Sequence, residues 1–280
     1  MGIKFAGWNQ SLLNELKASG FEVELELSEG YSLIDFKNYG KLVLNLISLD
    51  AIINPADLVN LQQHYQRLDI QLVQLWEDIW LMRTEQVLSR IFSLLGTNRT
   101  VHGRKTKIRS ITQPEADDFL NRFHLQGSVK SRFRYALETE GEMVAVALFS
   151  GKRKMTQKHP DYTSVELMRF ANAAGITVQG GLSKLIKHLV TSLTPNDVMT
   201  YADLDWSYGK GYTKLGFELA EQSPPAEIWL NHETLLRFFP HRLPEEIKPI
   251  LLTAGCVSEM GALHYSRVYN TGNLKYILHL

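Results

Sequence analysis

The sequence of 280 residues predicts a mixed α/β (α+β) protein built from two main parts. Short apolar or alternating runs, typical of strands, are interspersed with segments of helical periodicity along most of the chain. The helical pattern that ends at residue 95 is followed by Gly96-Thr97-Asn98, which is typical of a helix C-cap and turn. We therefore expect one domain over residues 1–98, a second over 104–232, and a C-terminal extension over 233–280 packed on the second.

The elements of the first part follow from these patterns in order. The predicted helices cover residues 10–17, 56–67 and 84–95, and the predicted strands cover residues 21–27, 32–36, 42–49 and 70–76. The strand 21–27 alternates strictly and carries three glutamates on one face, which predicts a solvated face. The strand 42–49 is apolar on both faces, which predicts a central position. The order α-β-β-β-α-β-α is the layout of a restriction-endonuclease-like αβ sandwich.

Particular residues make this resemblance more specific. The strand motif Ile34-Asp35-Phe36, then Asn45, then His64 and the run 71–96 resemble the nuclease domain of phage-type homing endonucleases, which are relatives of very-short-patch-repair endonucleases. The resemblance continues collinearly to Lys275 and covers about residues 31–280. It implies duplex DNA as a partner, a divalent metal held by an aspartate on one strand and an acidic residue on the next, and a histidine that assists.

The chain departs from that family at the second metal ligand. Asp35 occupies the first position, but Asn45 stands where the family has glutamate, and apolar Leu46 and Ile47 follow it. Because Mg²⁺ is usually held by one or two carboxylates, losing one weakens its binding and the orientation of the attacking water. We therefore expect no metal site and a decayed nuclease, with Mg²⁺ relevant only in the alternative of an active endonuclease. His64 is either a relic of the chemistry or a surface residue.

The elements of the second part also follow in order. We expect a strand over 106–111, a helix over 113–123, a hairpin of 133–138 with 143–149, a strand over 165–171, a helix over 182–193 and a strand over 199–202. A short helix then ends at Gly216, and a last strand covers 228–230. In the extension we expect helices over 231–239 and 244–252, and a hairpin of 262–268 with 274–280.

The strand, the Gly180-Gly181 pair, the helix, the next strand and the motif Gly211-Tyr212-Thr213-Lys214-Leu215-Gly216-Phe217 together resemble the cofactor-binding half of GNAT-type N-acyltransferases. A helix that starts after glycines directs unpaired N–H groups at an anion. The resemblance implies that acetyl-CoA or another acyl-CoA binds at the residues around this helix start, which are Gln179, Gly180, Gly181, Leu182, Ser183 and Lys184.

Two further residues follow from the GNAT resemblance. Tyr212 stands where these enzymes keep a tyrosine that protonates the departing thiolate, and packing of the helix against the sheet is its alternative role. Glu166 lies on the strand that lines the acceptor site and is a candidate base. Leu182 places a branched side chain where the family has a small residue, so a GNAT shell that does not bind acyl-CoA stays an open alternative.

The net charge of zero hides an uneven distribution. Residues 101–170 hold 13 Lys and Arg against 8 Asp and Glu, whereas residues 1–100 hold 8 against 12. Basic clusters of this kind neutralise phosphates, so we expect duplex DNA to contact the basic residues of the 99–134 region, namely Arg104, Lys105, Lys107, Arg132 and Arg134. The alternative is a solvated linker with an ordinary exposed strand.

Composition limits the remaining classes. The single cysteine, Cys256, excludes an internal disulfide framework and a cysteine-based zinc cluster. No signal-peptide pattern and no apolar run of membrane-spanning length is present, so we expect a cytoplasmic protein without a membrane partner. Two functions lead: an N-acyltransferase with a degenerate nuclease-like domain, and a non-enzymatic DNA-binding protein derived from a mobile-element homing endonuclease. The sequence does not indicate the acyl acceptor.

Overall fold

A computed structural model describes residues 7–39, 41–249 and 264–280, and within them strands outnumber helices. The first stretch contains α1 (Trp8–Ala18), β1 (Val23–Ser28), β2 (Tyr31–Phe36), β3 (Leu42–Ile47), α2 (Pro55–Arg67), β4 (Gln71–Trp76) and α3 (Glu77–Leu95). The middle contains β5 (Arg99–His102), β6 (Lys107–Ser110), α4 (Gln113–Phe123), β7 (Phe133–Thr139), β8 (Glu142–Phe149), β9 (Arg153–Lys154), β10 (Thr163–Asn172), β11 (Ile176–Gln179) and α5 (Gly181–Leu193). The last stretch contains β12 (Asp197–Asp203), α6 (Lys210–Lys214), β13 (Glu218–Gln222), β14 (Glu227–Asn231), β15 (Arg237–Phe238), β16 (Tyr265–Tyr269) and β17 (Asn273–His279).

Contacts divide the chain into two compact units that are not contiguous in sequence. The first unit comprises Met1–Met82, Asp203–Tyr208 and Ser223–Asn273, and the second comprises Arg83–Ala202, Gly209–Gln222 and Leu274–Leu280. The predicted ranges 1–98, 104–232 and 233–280 do not follow this division. The predicted domain boundaries remain predictions.

The first unit contains a four-stranded sheet in the order β1-β2-β3-β4. The first two pairings are antiparallel and β3 pairs with β4 in parallel, so a helix, α2, connects these last two strands. All six residues of β3 are buried, which confirms its predicted position inside the sheet. Over residues 8–95 the element order α-β-β-β-α-β-α is as predicted, with the last helix, α3, passing from the first unit into the second at Arg83. The helix predicted over 84–95 begins earlier, at Glu77, and is interrupted by a non-helical residue, Arg83, with φ of −141°.

A second, three-stranded sheet of the first unit, in the order β15-β14-β16, corrects two predictions. The strand predicted over 228–230 does not close the second domain, because β14 pairs with β15 and β16 and packs Ile228 and Leu230 against Trp76 of its own unit. The segment 231–239 is a hairpin turn rather than a helix. The reason is local: the Asn231 side chain accepts hydrogen bonds from the amides of the second and third following residues.

The second unit contains an eight-stranded sheet. Seven strands follow the order β13-β17-β12-β10-β8-β7-β6, and β9 pairs with the first two residues of β10, Thr163 and Ser164. The closing strand is therefore β17, inserted between β12 and β13, and the hairpin predicted for 262–268 with 274–280 is wrong. β16 and β17 belong to different sheets because Thr271, between them, is held by Asp205, whose side chain accepts hydrogen bonds from the Thr271 amide at 2.8 Å and hydroxyl at 2.7 Å.

The helix α4 packs against the sheet of the second unit. On one face of the sheet, α4 buries Phe119 and Leu120 against Ala136, Val146 and Leu148.

The helix predicted over 244–252 lies partly outside the described residues, as do residues 262 and 263 of the predicted hairpin. Within the described residues, no helix combines the length and the apolar character that a bilayer crossing requires.

Candidate functional site

The parallel strands β10 and β12 pair over only part of their length. The pairing joins residues 164–167 to residues 197–200 and stops at Leu167 and Thr200, although β10 runs on to Asn172 and β12 to Asp203. On its other side, β10 shifts register against β8 between Leu167 and Arg169, as a β-bulge does. The sheet of the second unit is therefore interrupted between these two central strands.

Tyr212 lies at the point where this pairing ends. Its ring packs against Phe217 and Tyr276, with 5.6 Å between ring centroids in each case. Burial raises the pKa of Tyr212, and the neighbouring Thr200 hydroxyl and the positive charge of Arg90 oppose that rise. The phenol is therefore protonated at neutral pH, as a proton donor must be. The packing contacts support the alternative structural role equally directly.

Positive charge surrounds the turn that follows α4. Arg169 donates from Nε to the Gly127 carbonyl at 3.2 Å, and Arg83 donates to the Asn121 carbonyl at 3.4 Å. His124 accepts a hydrogen bond at Nδ1 from the amide two residues later. Burial, followed by the charges of Arg169, Arg90 and Arg83, lowers the pKa of His124 to about 3. This histidine is therefore neutral, and the sequence pattern alone does not single it out.

The start of α5 carries the predicted acyl-CoA contacts. Gly180 has φ of +73° and faces open space, so glycine suits its left-handed conformation. Gly181 allows close packing, because a Cβ added at this position would lie 2.8 Å from a Val178 methyl and 2.9 Å from a Leu137 methyl. Lys184 donates its amide to Gly180 at 3.0 Å. Among the described residues, no acceptor is bonded to the amides of Gly181, Leu182 or Ser183.

One predicted cofactor residue has another partner. The Lys184 ammonium donates to the carbonyls of Gly103 at 3.0 Å and Thr106 at 2.5 Å. The backbone of Gly103 packs so closely on Gln179 and Gly180 that a Cβ on Gly103 lies 3.0 Å from the Gln179 carbonyl oxygen. The strand β5 also pairs with β11, which ends at Gln179. Residues 99–106 therefore cover one side of this loop, and Lys184 holds them there.

Glu166, the candidate base, lies on β10 within the paired stretch. Its backbone exchanges hydrogen bonds with Ser150 at 2.9 Å in each direction. Its side chain is 21% exposed and lies 3.7 Å from an Arg153 nitrogen. The carboxylate is thus close to solvent beside a cation.

The predicted DNA contacts fall into two groups near opposite ends of β7. Arg104 and Lys105 lie in a turn beside the start of α5. Lys107 lies opposite Glu138 in the register of β6 with β7, near the end of β7. Arg132 precedes β7 and so lies at its opposite end, about 20 Å away at strand spacing. Arg134 uses part of its guanidinium within the protein, because Nε donates to the Ile111 carbonyl at 3.2 Å and Nη1 to the Ser131 carbonyl at 2.5 Å.

The predicted nuclease relics occupy the first unit without forming a site. Asp35 is exposed and His64 is exposed on α2, where it stacks edge-on against Tyr65. Asn45 is buried and donates to Gln74 Oε1 at 2.8 Å. No group of three or more His, Cys, Asp or Glu side chains in the described part of the chain is arranged to hold a metal.

Asn45 belongs to a buried amide network that sequence reasoning missed. Gln74 Nε2 donates to Gln62 Oε1 at 3.0 Å and to the Leu58 carbonyl at 3.2 Å. Gln62 Nε2 donates in turn to the carbonyls of Leu204 at 2.9 Å and Leu72 at 3.2 Å. The only sequence signals for this network are two glutamines, Gln74 in the apolar strand β4 and Gln62 in the helix α2. The network occupies the position where the resemblance implies a metal ligand.

Two further carboxyl groups are buried in the first unit, those of Asp78 and Asp205. Asp78 forms a two-point ion pair with Arg237, at 2.6 and 2.9 Å, so its carboxylate is committed within the first unit. Asp205 is 4% exposed, and burial, followed by the charge of Asp203, raises the pKa of Asp205 to about 8.

Comparisons with known proteins return similarity to solved structures only. No protein-family model matches the sequence, and no curated protein does. A Bacillus subtilis acetyltransferase in complex with CoA is 13% identical, with a TM-score of 0.38 over 63% of this chain and 99% of that chain. A GNAT family acetyltransferase from Elizabethkingia anophelis with acetyl-CoA bound is 14% identical, with a TM-score of 0.35 over 63% and 99%. The ribosomal-protein-S18-alanine N-acetyltransferase of Escherichia coli is 14% identical, with a TM-score of 0.38 over 62% and 93%.

Proposed function

We propose that the second unit is an acyl-CoA-dependent N-acyltransferase. The observation that carries this proposal is the position of Tyr212, a protonated phenol at the point where β10 and β12 stop pairing. A gap between parallel strands gives an extended ligand access to backbone groups, and a proton donor at its edge suits a leaving thiolate.

The residues at the start of α5 are compatible with the diphosphate of acyl-CoA. The unbonded amides of Gly181, Leu182 and Ser183 lie at the positive end of a 13-residue helix, which stabilises an anion. Gly180 leaves the approach to that end open. Lys184 does not take part, since its ammonium is bonded to Gly103 and Thr106.

In this proposal each protein group has one role. Acyl-CoA supplies a thioester whose C–S bond breaks as the C–N bond to an amine forms. Glu166 accepts the proton that the amine loses, directly or through a water, and Tyr212 donates a proton to the thiolate that leaves. Arg90 stabilises negative charge beside Tyr212, because its positive charge already favours the phenolate form.

Calorimetry with acetyl-CoA, dephospho-CoA and pantetheine tests the binding. We expect acetyl-CoA and dephospho-CoA to bind and pantetheine, which lacks the diphosphate, to lose most of the affinity. Equal binding of all three would show that the start of α5 does not hold the diphosphate, and no binding of acetyl-CoA would refute the proposed function.

Tyr212→Phe tests the chemistry. It keeps the ring contacts with Phe217 and Tyr276, so we expect unchanged acetyl-CoA binding and thiol release, with an amine acceptor, slowed by about 100-fold or more. Tyr201→Phe removes an exposed hydroxyl from β12 and is the matched control, with an expected rate equal to that of the unsubstituted protein. Full activity in Tyr212→Phe would leave Tyr212 with its packing role alone.

A further inference from the structure

An open cleft of about 370 Å³ lies at one end of the second unit's sheet. Its lining includes three cationic side chains, those of Lys130, Arg132 and Arg153, and it is floored in part by Gly151. This volume is at the lower end of the range found for small-molecule sites. The cleft is separate from the start of α5, which none of its lining residues belongs to.

The charges of this cleft are not balanced by the protein. Within the described residues, Lys130 and Arg132 form no ion pair, and Arg153 has one partner, Glu166, at 3.7 Å. Three cations and one carboxylate leave two positive charges uncompensated. A phosphate monoester carries a charge of about −1.5 to −2 near neutral pH, so one such group matches this excess.

The polar groups and the shape of the cleft also suit a phosphate. Ser131 lines it, and its hydroxyl oxygen is buried without a hydrogen-bond partner among the described residues, so it is available to a phosphate oxygen after a rotation. Gly151 keeps the floor open, because a Cβ there meets only the aliphatic stem of Arg132, at 3.9 Å. Guanidinium groups bind phosphate through paired donors, which makes Arg132 and Arg153 the principal contacts.

We propose that this cleft binds a phosphate group of the acyl acceptor, so that the acceptor is a phosphorylated amine delivered to Glu166. The role of the cleft in holding an acyl acceptor rests on the proposed function, whereas the binding of phosphate by the cleft does not. Glu166 lies on β10 at the margin of the cleft, 3.7 Å from Arg153, and an acceptor anchored by its phosphate brings an amine to that carboxylate. A nucleotide and the end of a nucleic-acid strand present the same phosphate chemistry.

Binding of AMP, with adenosine as the phosphate-free control, tests the inference without any acyl donor. We expect AMP to bind and adenosine not to bind, and the double substitution of Arg132→Gln with Arg153→Gln to weaken AMP binding by about tenfold or more. The matched control is Lys152→Gln with Lys154→Gln. It removes the same charge from neighbouring positions, where Lys152 is bonded to the Leu193 carbonyl and Lys154 is absent from the cleft lining, and we expect it to have little effect.

Gly151→Val separates a built site from general electrostatic attraction. It keeps all three cations but fills the floor, so we expect it to abolish AMP binding while the thermal midpoint changes little. Equal binding of AMP and adenosine, or AMP binding that survives Gly151→Val, would overturn the inference.

A competition arm distinguishes the sources of phosphate. In this arm a 5′-phosphorylated single-stranded oligonucleotide competes with AMP. A higher affinity for the oligonucleotide than for AMP would identify the end of a nucleic-acid strand as the ligand. An equal or lower affinity would identify a free nucleotide. Acetyl-CoA titrated in parallel keeps the two proposals apart. AMP binding without acetyl-CoA binding would refute the transferase and retain the phosphate cleft, whereas the reverse would refute the cleft alone.

Discussion

Replacing Asn45 by aspartate measures how strongly the buried amide network excludes a carboxylate. The substitution keeps the shape of the side chain and exchanges the donor that contacts Gln74 Oε1 at 2.8 Å for an acceptor. Rotating the Gln74 amide does not restore the bond, because its oxygen then faces the Leu58 carbonyl and Gln62 Oε1. Rotating Gln62 as well places an oxygen against the Leu204 carbonyl. The direction of the network is therefore fixed by backbone carbonyls, which cannot donate.

The expected magnitude follows from the two states left to the aspartate. An unpaired buried charge costs about 3–5 kcal/mol. Protonation instead restores an O–H donor to Gln74, and at pH 7 it costs about 4 kcal/mol for a group of ordinary pKa 3.9. That cost falls by about 1.4 kcal/mol per pH unit, to about 1.5 kcal/mol at pH 5. We therefore expect Asn45→Asp to lose about 4 kcal/mol at pH 7 and to recover most of it at pH 5.

Urea unfolding at several pH values between 5 and 8 is the assay. The matched control is Asn60→Asp, the same chemical change at an exposed position of α2, and the measured quantity is the difference between the two variants at each pH. Equal stability of Asn45→Asp and Asn60→Asp across this range would refute the network. Metal-dependent stabilisation of Asn45→Asp would show instead that Asp35 and residue 45 still form a metal site.

Two further predictions concern buried positions in each unit. Because burial raises the pKa of Asp205 to about 8 in the folded state, from an ordinary 3.8, the folded state binds the proton more tightly and stability falls as pH rises from about 4 to 8. Asp205→Asn keeps an acceptor for the Thr271 donors but cannot titrate. We therefore expect the unfolding free energy of this variant to fall less steeply with pH, by up to about 1.4 kcal/mol per pH unit. An unchanged slope, measured by urea unfolding at several pH values, would contradict this. Gly181→Ala should destabilise by about 1–3 kcal/mol, because its Cβ overlaps Val178 and Leu137, whereas Gly211→Ala, with open space at its Cβ, should not destabilise. Thermal unfolding of both variants measures this, and equal midpoints would show that the Gly181 packing relaxes freely.

Local patterns predicted most elements of the fold because those elements are encoded locally. The apolar run of β3 and the helical periodicity of α5 require no knowledge of the rest of the chain. Strand pairing is different, because it depends on partners distant in sequence. The pairing of β14 with β16 rather than with the second unit, and the insertion of β17 between β12 and β13, leave no signal in either segment alone.

The candidate site shows the same limit. Tyr212 and Glu166 were predicted from the GNAT resemblance. In the structure, Tyr212 lies at the end of the β10–β12 pairing and Glu166 lies beside a cleft. The cleft itself was missed, since Lys130 and Arg153 lie 23 positions apart and only the sheet brings them together. The positive charge of Arg134 is visible in the sequence, whereas the two carbonyls that accept hydrogen bonds from its guanidinium are not.

The place of β17 has a consequence for how the chain acquires its structure during synthesis. The ribosome delivers β12 and β13 long before β17, yet in the finished sheet β17 separates them. Until its residues emerge, β12 has an unpaired edge and β13 has no partner in the sheet, and such unpaired strands favour wrong pairing between nascent chains. Because β13 lies at the end of the sheet and pairs only with β17 there, both β13 and β17 can join this sheet only after the intervening segment 223–272 has been translated. Completing this sheet therefore requires a long-range closure, a kind of contact that generally forms more slowly than a local one.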